Sequence, residues 1–349
     1  MSFDPPRCAN SACPLHLDPT LGRIIRWGFF MARCRDQREQ RYRCQQCRKT
    51  FSEQTFRHSY HDRRPDVNER LFELLTSGVG LRQSARVLKI GPNTVQKKMR
   101  KLSRTCALLH ENLCRALPAG RTYLMDEEES YEGASIRPLT VPILIEKENW
   151  FVVATAVGSI RRLAPAGTER RKRQAQDEQK HGTRPDESRE CVAEVLRALR
   201  QRTTGQIELL TDQKSSYATV AREIFAGEVM HLTTAGSDPR TPRNPLFPIN
   251  SIIAMSRDNC GRLRRKSWLV SKLAKWLRGQ MSIYTVFRNY VRRRFNKDKA
   301  DDTAAKLLGL LPRRLHPSEV VRWRQDWGSR SPHPMCLSGG SAVAGGAAM

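Results

Sequence analysis

The chain has 349 residues, enough to bury a real core and to build more than one structural unit. Lysine and arginine number 62 against 35 acids, a formal charge of +27. An ordinary small-molecule enzyme has no use for that excess, whereas a polyphosphate partner does, because each neutralised phosphate releases counterions.

No run of about twenty apolar residues is present, which argues against a membrane-spanning helix. Met1-Ser2-Phe3-Asp4-Pro5-Pro6 lacks the basic-then-apolar layout of a secretion signal. A cytoplasmic, reducing setting is therefore expected. There the ten cysteines bind metal or pack as small apolar groups rather than form disulfides.

Residues 1–60 are expected to form a zinc ribbon. Cys8 and Cys13 make one close pair and Cys44 and Cys47 another. Zinc takes four soft ligands in a tetrahedron, and a short pair supplies two from a single turn. Arg41-Tyr42-Arg43 reads as a strand entering the second pair, with Arg48-Lys49 beyond it. The first pair is looser than the usual two-residue spacing, so His16 and Cys34 stand as spare ligands. With all four positions filled, the metal is structural, and its basic rim suits phosphate.

Residues 66–117 carry a helical period. Val67–Leu75 forms the first helix, ended by Gly78 and Gly80. Leu81–Ile90 forms the second, with Ala85, Val87, Leu88 and Ile90 available to pack. Gly91-Pro92 breaks it, and Asn93 or Thr94 caps a third helix over Val95–Leu102. Two short helices joined by a tight turn, the second basic, form a helix-turn-helix that sets a recognition helix in the major groove of double-stranded DNA. Lys97, Lys98 and Arg100 then reach phosphates, while Asn93, Thr94 and Gln96 reach base edges.

Residues 121–295 alternate strand-like and helix-like stretches. A strand over Arg121–Met125 ends in Asp126-Glu127-Glu128-Glu129, and β-rich runs follow over Ile136–Glu146 and Trp150–Val157. After a polar, basic stretch (Arg161–Pro185) come a helix from about Glu187 to Arg202, a strand Gln206–Thr211 ending in Asp212, a helix Ser215–Phe225 and a strand Glu228–Thr233. That order is the order of an α/β RNase H-like core with a mixed sheet, in which aspartates close the first and fourth strands.

Asp126 and Asp212 fall in those two places. Carboxylate oxygens suit Mg²⁺ (or Mn²⁺), and two such ions serve an in-line phosphoryl displacement. The third ligand is either Asn250 or Asp258. A cation seven residues later lies two helical turns on along the same face, so Arg257 serves Asn250 and Arg265 serves Asp258 in meeting DNA.

Taken together, these motifs resemble the DDE transposases of prokaryotic insertion sequences, of the insertion-sequence-one type with a zinc ribbon. The resemblance rests on Arg41-Tyr42-Arg43-Cys44, Cys47 and Phe51-Ser52, on the helix-turn-helix, and on Met125-Asp126-Glu127-Glu128-Glu129-Ser130-Tyr131. It continues in Thr211-Asp212-Gln213-Lys214, Tyr217 and Arg262-Leu263-Arg264-Arg265-Lys266-Ser267-Trp268. It implies binding to terminal inverted repeats, Mg²⁺-dependent strand cleavage and strand transfer, with Asp126 and Asp212 as metal ligands. The family's usual glutamate is missing; related groups tolerate asparagine there, which favours Asn250.

The runner-up reading is a non-catalytic DNA-binding regulator. Synapsis of two DNA ends implies a homodimer or a larger assembly on DNA. Residues 296–327 are read as a helical extension, and 328–349, rich in Gly, Ser, Ala and Pro, as a disordered tail. Tyr42, Trp268, Trp276 and Tyr290 lie among basic residues, where they either stack on bases or pack in the core.

Overall fold

A computed structural model of the chain describes residues 5, 7–10, 12–32, 37–56, 59–239, 241–264 and 268–323; Cys34, Arg265 and the tail from Gly328 lie outside them. The chain divides into two compact units. One joins the segment up to Glu69 with the segment from Pro317, and the other is Arg70–His316.

In the first unit a single helical turn, α1 (Pro14–Leu17), precedes three antiparallel strands, β1 (Ile24–Ala32), β2 (Gln37–Cys44) and β3 (Thr50–Ser52), in that spatial order. The β1–β2 register slips between Arg26 and Phe29, and Gly28 at the slip has φ 69°, a left-handed conformation that costs glycine little. Tyr42, Phe51 and Phe56 pack with Leu15 around the cysteines to make a small core. A short helix, Pro317–Arg322, belongs to the same unit.

The second unit begins within α2 (Asn68–Thr76), followed by α3 (Leu81–Leu88) and α4 (Pro92–Leu113). The third helix is thus far longer than the sequence period suggests. Val95, Lys98, Met99, Leu102, Thr105, Cys106 and Leu109 form one continuous buried stripe at three- and four-residue spacing.

A mixed sheet follows. Strands β4 (Thr122–Glu132), β5 (Ala134–Glu146) and β6 (Phe151–Thr155) form an antiparallel meander, and the two-residue β7 (Gly158–Ser159) adds to β5. The chain then crosses through α5 (Glu169–His181) and α6 (Ser188–Arg200) to β8 (Ile207–Asp212), which lies parallel to β4. After α7 (Ser215–Phe225), β9 (Val229–Thr234) pairs parallel to β8. The resulting order is β6-β5-β4-β8-β9.

One sheet face, through Leu124, Ile143, Ile145 and Leu210, packs beneath α8 (Phe247–Asn259) and α9 (Ala274–Val286). Tyr217 of α7 donates to Glu127, whose side chain alternates to the opposite face, so α7 covers the other side together with α6. A π-helical turn, Phe287–Val291, and α10 (Ala304–Leu307) complete the unit.

Three stretches differ from the sequence expectation. β4 does not stop before the acidic run but continues through it to Glu132. The basic stretch after Arg161 contains α5, which has no apolar stripe and buries only Gln174. It is held by Arg137 to Asp177 (Nε–Oδ2 2.8 Å), with the Gln174 amide bonded to Ala164 and Arg162. Val87, expected in the core of the helix-turn-helix, is 56% exposed, while Ala85 and Leu88 do the packing.

His110 on α4 illustrates the polar ties inside this unit. Its Nε2 donates to the Val153 carbonyl (2.9 Å), leaving Nδ1 to accept from the Tyr290 hydroxyl (2.9 Å). Burial lowers its pKa to about 4. The unfolded chain, with an ordinary imidazole near 6.5, therefore takes up this proton first as the pH falls. The stabilisation is complete above about pH 6.5 and shrinks toward pH 4, by on the order of 3 kcal/mol. Urea unfolding at pH 7 and pH 4.5 should show a smaller acid loss for His110→Gln than for the native chain. Parallel pH profiles would contradict a neutral buried imidazole.

Candidate metal and nucleic-acid sites

The four paired cysteines converge. Their sulfurs all lie within 4.8 Å of one another, with Cys8 to Cys47 at 3.5 Å and Cys13 to Cys44 at 3.8 Å. A tetrahedral zinc with Zn–S bonds near 2.3 Å places its sulfurs about 3.8 Å apart, so the group fits that ion.

Local backbone makes the convergence possible. Arg48 adopts φ 58° and donates its amide to the Cys44 carbonyl (2.9 Å), curling the second pair into a knuckle. On the other side Cys13 donates to Asn10 (2.9 Å), and the Asn10 amide meets the Cys8 sulfur (3.4 Å). Burial pushes the Cys8 thiol well up. For Cys47 the same burial is outweighed by the Lys49 amide and neighbouring groups, which bring it down to about 7. His16, a spare ligand by sequence, instead turns Nδ1 to the Cys8 carbonyl (2.8 Å) and braces the loop.

In the helix-turn-helix, Asn93, Thr94, Lys97 and Arg100 are exposed and Gln96 is half-buried. Lys98, expected at a phosphate, is instead 8% exposed, because it falls on the buried stripe of α4. Neither Asn93 nor Thr94 is the cap: Gly91 takes that place and Pro92 opens the helix, where its missing N–H costs nothing. The turn before α3 is welded to the end of α8. Gly78 (φ 75°) donates to the Asn259 carbonyl (2.9 Å), and a Cβ there would stand 2.7 Å from the Asp258 oxygen.

Asp126 and Asp212 sit on adjoining parallel strands. Thr122 pairs with Glu208 and Leu124 with Leu210, and Asp126 and Asp212 each lie two residues beyond that last pair. Each shares its parity with the leucine two residues before it, and both leucines face the core under α8. Asp126 Oδ1 accepts the Glu127 amide (2.7 Å), and Asp212 Oδ1 accepts the Lys214 amide (3.1 Å).

α8 runs along β4 in the same direction. Arg257 bonds Glu128 (Nε–Oε1 2.8 Å), and just past the helix the Arg262 carbonyl accepts from Ser130 (3.2 Å). Asn250 lies seven residues before Arg257 on the same stripe of α8, about 10 Å back along the axis. Asp258 turns the other way: its side chain is 87% exposed and faces Arg264 at 4.0 Å.

Arg257 itself is committed to Glu128, whose side chain is fully buried. Sequence reasoning missed this partner because the glutamate lies inside an acidic run that reads as a solvated turn. The remaining acids are tied as well, Glu127 to Lys214 and Tyr217, and Glu129 to Arg162.

Residues 58–104 match a helix-turn-helix family described as the InsA C-terminal domain. Over 60 residues the chain is 37% identical to the insertion element iso-IS1N protein InsA of Shigella dysenteriae, a stretch covering 17% of this chain. The chain spans 63% of that protein's length. These similarities relate its N-terminal part to insertion-element proteins and support DNA binding by the helix-turn-helix. Among the described residues no helix is long and apolar enough to cross a membrane.

Two measurements follow. Purified chain should carry about one zinc, lost on acidification because the thiolate ligands must protonate, and Cys44→Ser should abolish binding and loosen the β1–β3 sheet in hydrogen exchange. Metal analysis at unchanged stoichiometry in Cys44→Ser would rule out the four-cysteine site. Arg257→Ala should cost about 2–4 kcal/mol in denaturant unfolding by leaving Glu128 buried without its guanidinium, and adding Glu128→Gln should recover part of the loss. Unchanged stability with weakened DNA binding would return Arg257 to the role of a phosphate contact.

Proposed function

We propose that the chain is a transposase that binds double-stranded DNA at the ends of a mobile element and cuts and joins it in an Mg²⁺-dependent reaction. The observation that carries this reading is that Asp126 and Asp212 each lie two residues past the Leu124–Leu210 pair of adjoining parallel strands, with the parity of the leucines that pack under α8. The strand order supports it: an antiparallel meander whose first strand pairs parallel with a fourth, and that with a fifth, is the arrangement of RNase H-like nucleotidyl transferases.

On this reading Asp126, Asp212 and Asn250 hold the metal, and Asp258, out in solvent, does not. All three donors are oxygen, as a hard divalent cation requires, and two of them stand on strands rigid enough to fix its position. Bound magnesium supplies activation of the attacking oxygen and neutralisation of the leaving one. The protein's own part is to orient. The Glu127 and Lys214 amides hold the two aspartates' rotamers, and the Glu128–Arg257 pair seats α8 against β4. Asn93, Thr94, Gln96, Lys97 and Arg100 contact the DNA, and two protomers bring two ends together.

A non-catalytic DNA-binding regulator is the second reading, favoured by the family match falling on residues 58–104, the helix-turn-helix. Strand-transfer assays with the element's own ends and Mg²⁺ separate the two. Joined products should fall at least about a thousandfold in Asp126→Ala and Asp212→Ala and strongly in Asn250→Ala, with Asp258→Ala near the native level. Wild-type protein that binds the ends but neither cuts nor joins them in Mg²⁺ or Mn²⁺ would establish the regulator.

A further inference from the structure

A cavity of about 660 Å³ opens in the Arg70–His316 unit, where α3 and the start of α4 meet the segment that follows α8. Arg262, Trp268, Lys272 and Trp276 line it from that segment and from α9, and Asn93 and Gln96 line it from α4. No carboxylate is among its described lining residues.

Three features point to one kind of ligand. The Arg262 guanidinium is largely enclosed, yet its partners are the Ser271 hydroxyl (3.1 Å) and the Met99 sulfur (3.8 Å). Among the described residues no acid pairs with it. An enclosed cation held by a hydroxyl and a thioether is short of a counter-ion. Trp268 is 96% exposed, an unusual place for the largest apolar side chain, and Trp276 is only half-buried. Carboxamides at Asn93 and Gln96 supply paired donors and acceptors of the kind that read base edges.

An anion-seeking guanidinium, two indole faces and two carboxamides are together complementary to a nucleotide: phosphate, base plane and base edge. The volume lies in the range of small-ligand pockets, and a duplex cannot enter it. The cavity also adjoins the start of the helix that the helix-turn-helix would bring to DNA.

We infer that this cavity receives a single unpaired nucleotide of a DNA strand, displaced from the stack beside the bound duplex. The inference rests on the reading of the chain as a DNA-binding protein. Arg262 and Lys272 hold the phosphate, Trp268 and Trp276 stack on the base, and Asn93 and Gln96 meet its edge. Extruding a nucleotide costs less where pairing is already broken, so DNA with an extrahelical nucleotide binds in preference to a matched duplex.

The test is fluorescence anisotropy of the full chain with two labelled duplexes of the same sequence, one fully paired and one with a single extrahelical thymidine. The native chain should bind the second about tenfold more tightly, in line with the stacking of one base on an aromatic face. Trp268→Ala and Trp276→Ala should each reduce that preference while changing affinity for the paired duplex by no more than about twofold. Because Trp268 lies almost wholly in solvent, its variant folds as the native chain does. Equal native affinity for both duplexes, or a preference that survives both variants, overturns the nucleotide site and leaves DNA binding standing. Failure to bind either duplex overturns the DNA-binding reading as well.

Discussion

The parallel pairing of β4 with β8 is the constraint on which the second unit depends. Parallel neighbours cannot be joined by a tight turn, so the chain between them has to travel, and here it builds β5, β6, β7, α5 and α6 on the way. That detour fills one side of the sheet and part of one face. The same pairing sets Leu124 beside Leu210, and so gives the residues two places on, Asp126 and Asp212, the parity of that core face. A slip of one residue in this register would turn one aspartate to the opposite face and bring a neighbour out of the core with it. The apolar core and the acidic pair are therefore specified by a single set of main-chain hydrogen bonds.

The helix-turn-helix depends on that body more closely than its sequence implies. Gly78 and Gly261 stand where backbone meets backbone: a Cβ on Gly261 would lie 2.6 Å from the Gly78 oxygen. Gln280 of α9 donates to the Leu75 carbonyl at the end of α2 (2.9 Å), and Gly279 lets Ser103 of α4 come close. These are contacts of a shared interior, which leaves the helices little freedom to swing on a linker. DNA held by α4 would then stand at a fixed offset from the central strands β4 and β8 that carry the aspartates.

What was legible in the sequence follows from which signals are local. The cysteine pairs, the Gly-Pro break before α4 and the β-branched runs of β5 and β6 each announce themselves within a few residues. The helix Ser215–Phe225 is legible to the residue for the same reason. Other features were hidden because their cause lies far along the chain. α5 has no apolar period, since Arg137, on β5, supplies the partner for its Asp177. Lys98 looked like a phosphate contact because its charge is visible in sequence, whereas the buried stripe it belongs to appears only once α4 is known to run to Leu113. The choice between Asn250 and Asp258 could not be made from spacing, because both have a cation seven residues on. It becomes a geometric question once α8 is seen to run along β4 with Asn250 on the Arg257 stripe and Asp258 turned to solvent.

The acidic run shows how a fold makes unlike groups out of like ones. Asp126, Glu127, Glu128 and Glu129 are consecutive carboxylates in a chain of strong positive charge, and in an extended strand they alternate between faces. Glu127 goes to the α7 side, where Lys214 and Tyr217 hold it. Glu128 goes to the α8 side and is buried against Arg257, and Glu129 meets Arg162. Each glutamate is thereby occupied by a cation of the protein itself. Asp126 is shorter and accepts the amide of the next residue, and Asp212 accepts a main-chain amide two residues on. Main-chain amides fix a carboxylate's direction without cancelling its charge, and on the proposed reading these two aspartates are the ones that would hold a divalent cation. The surplus of arginine along this chain thus does two jobs. Part of it neutralises the glutamates and stiffens the sheet, and what remains is the charge a polyphosphate would meet.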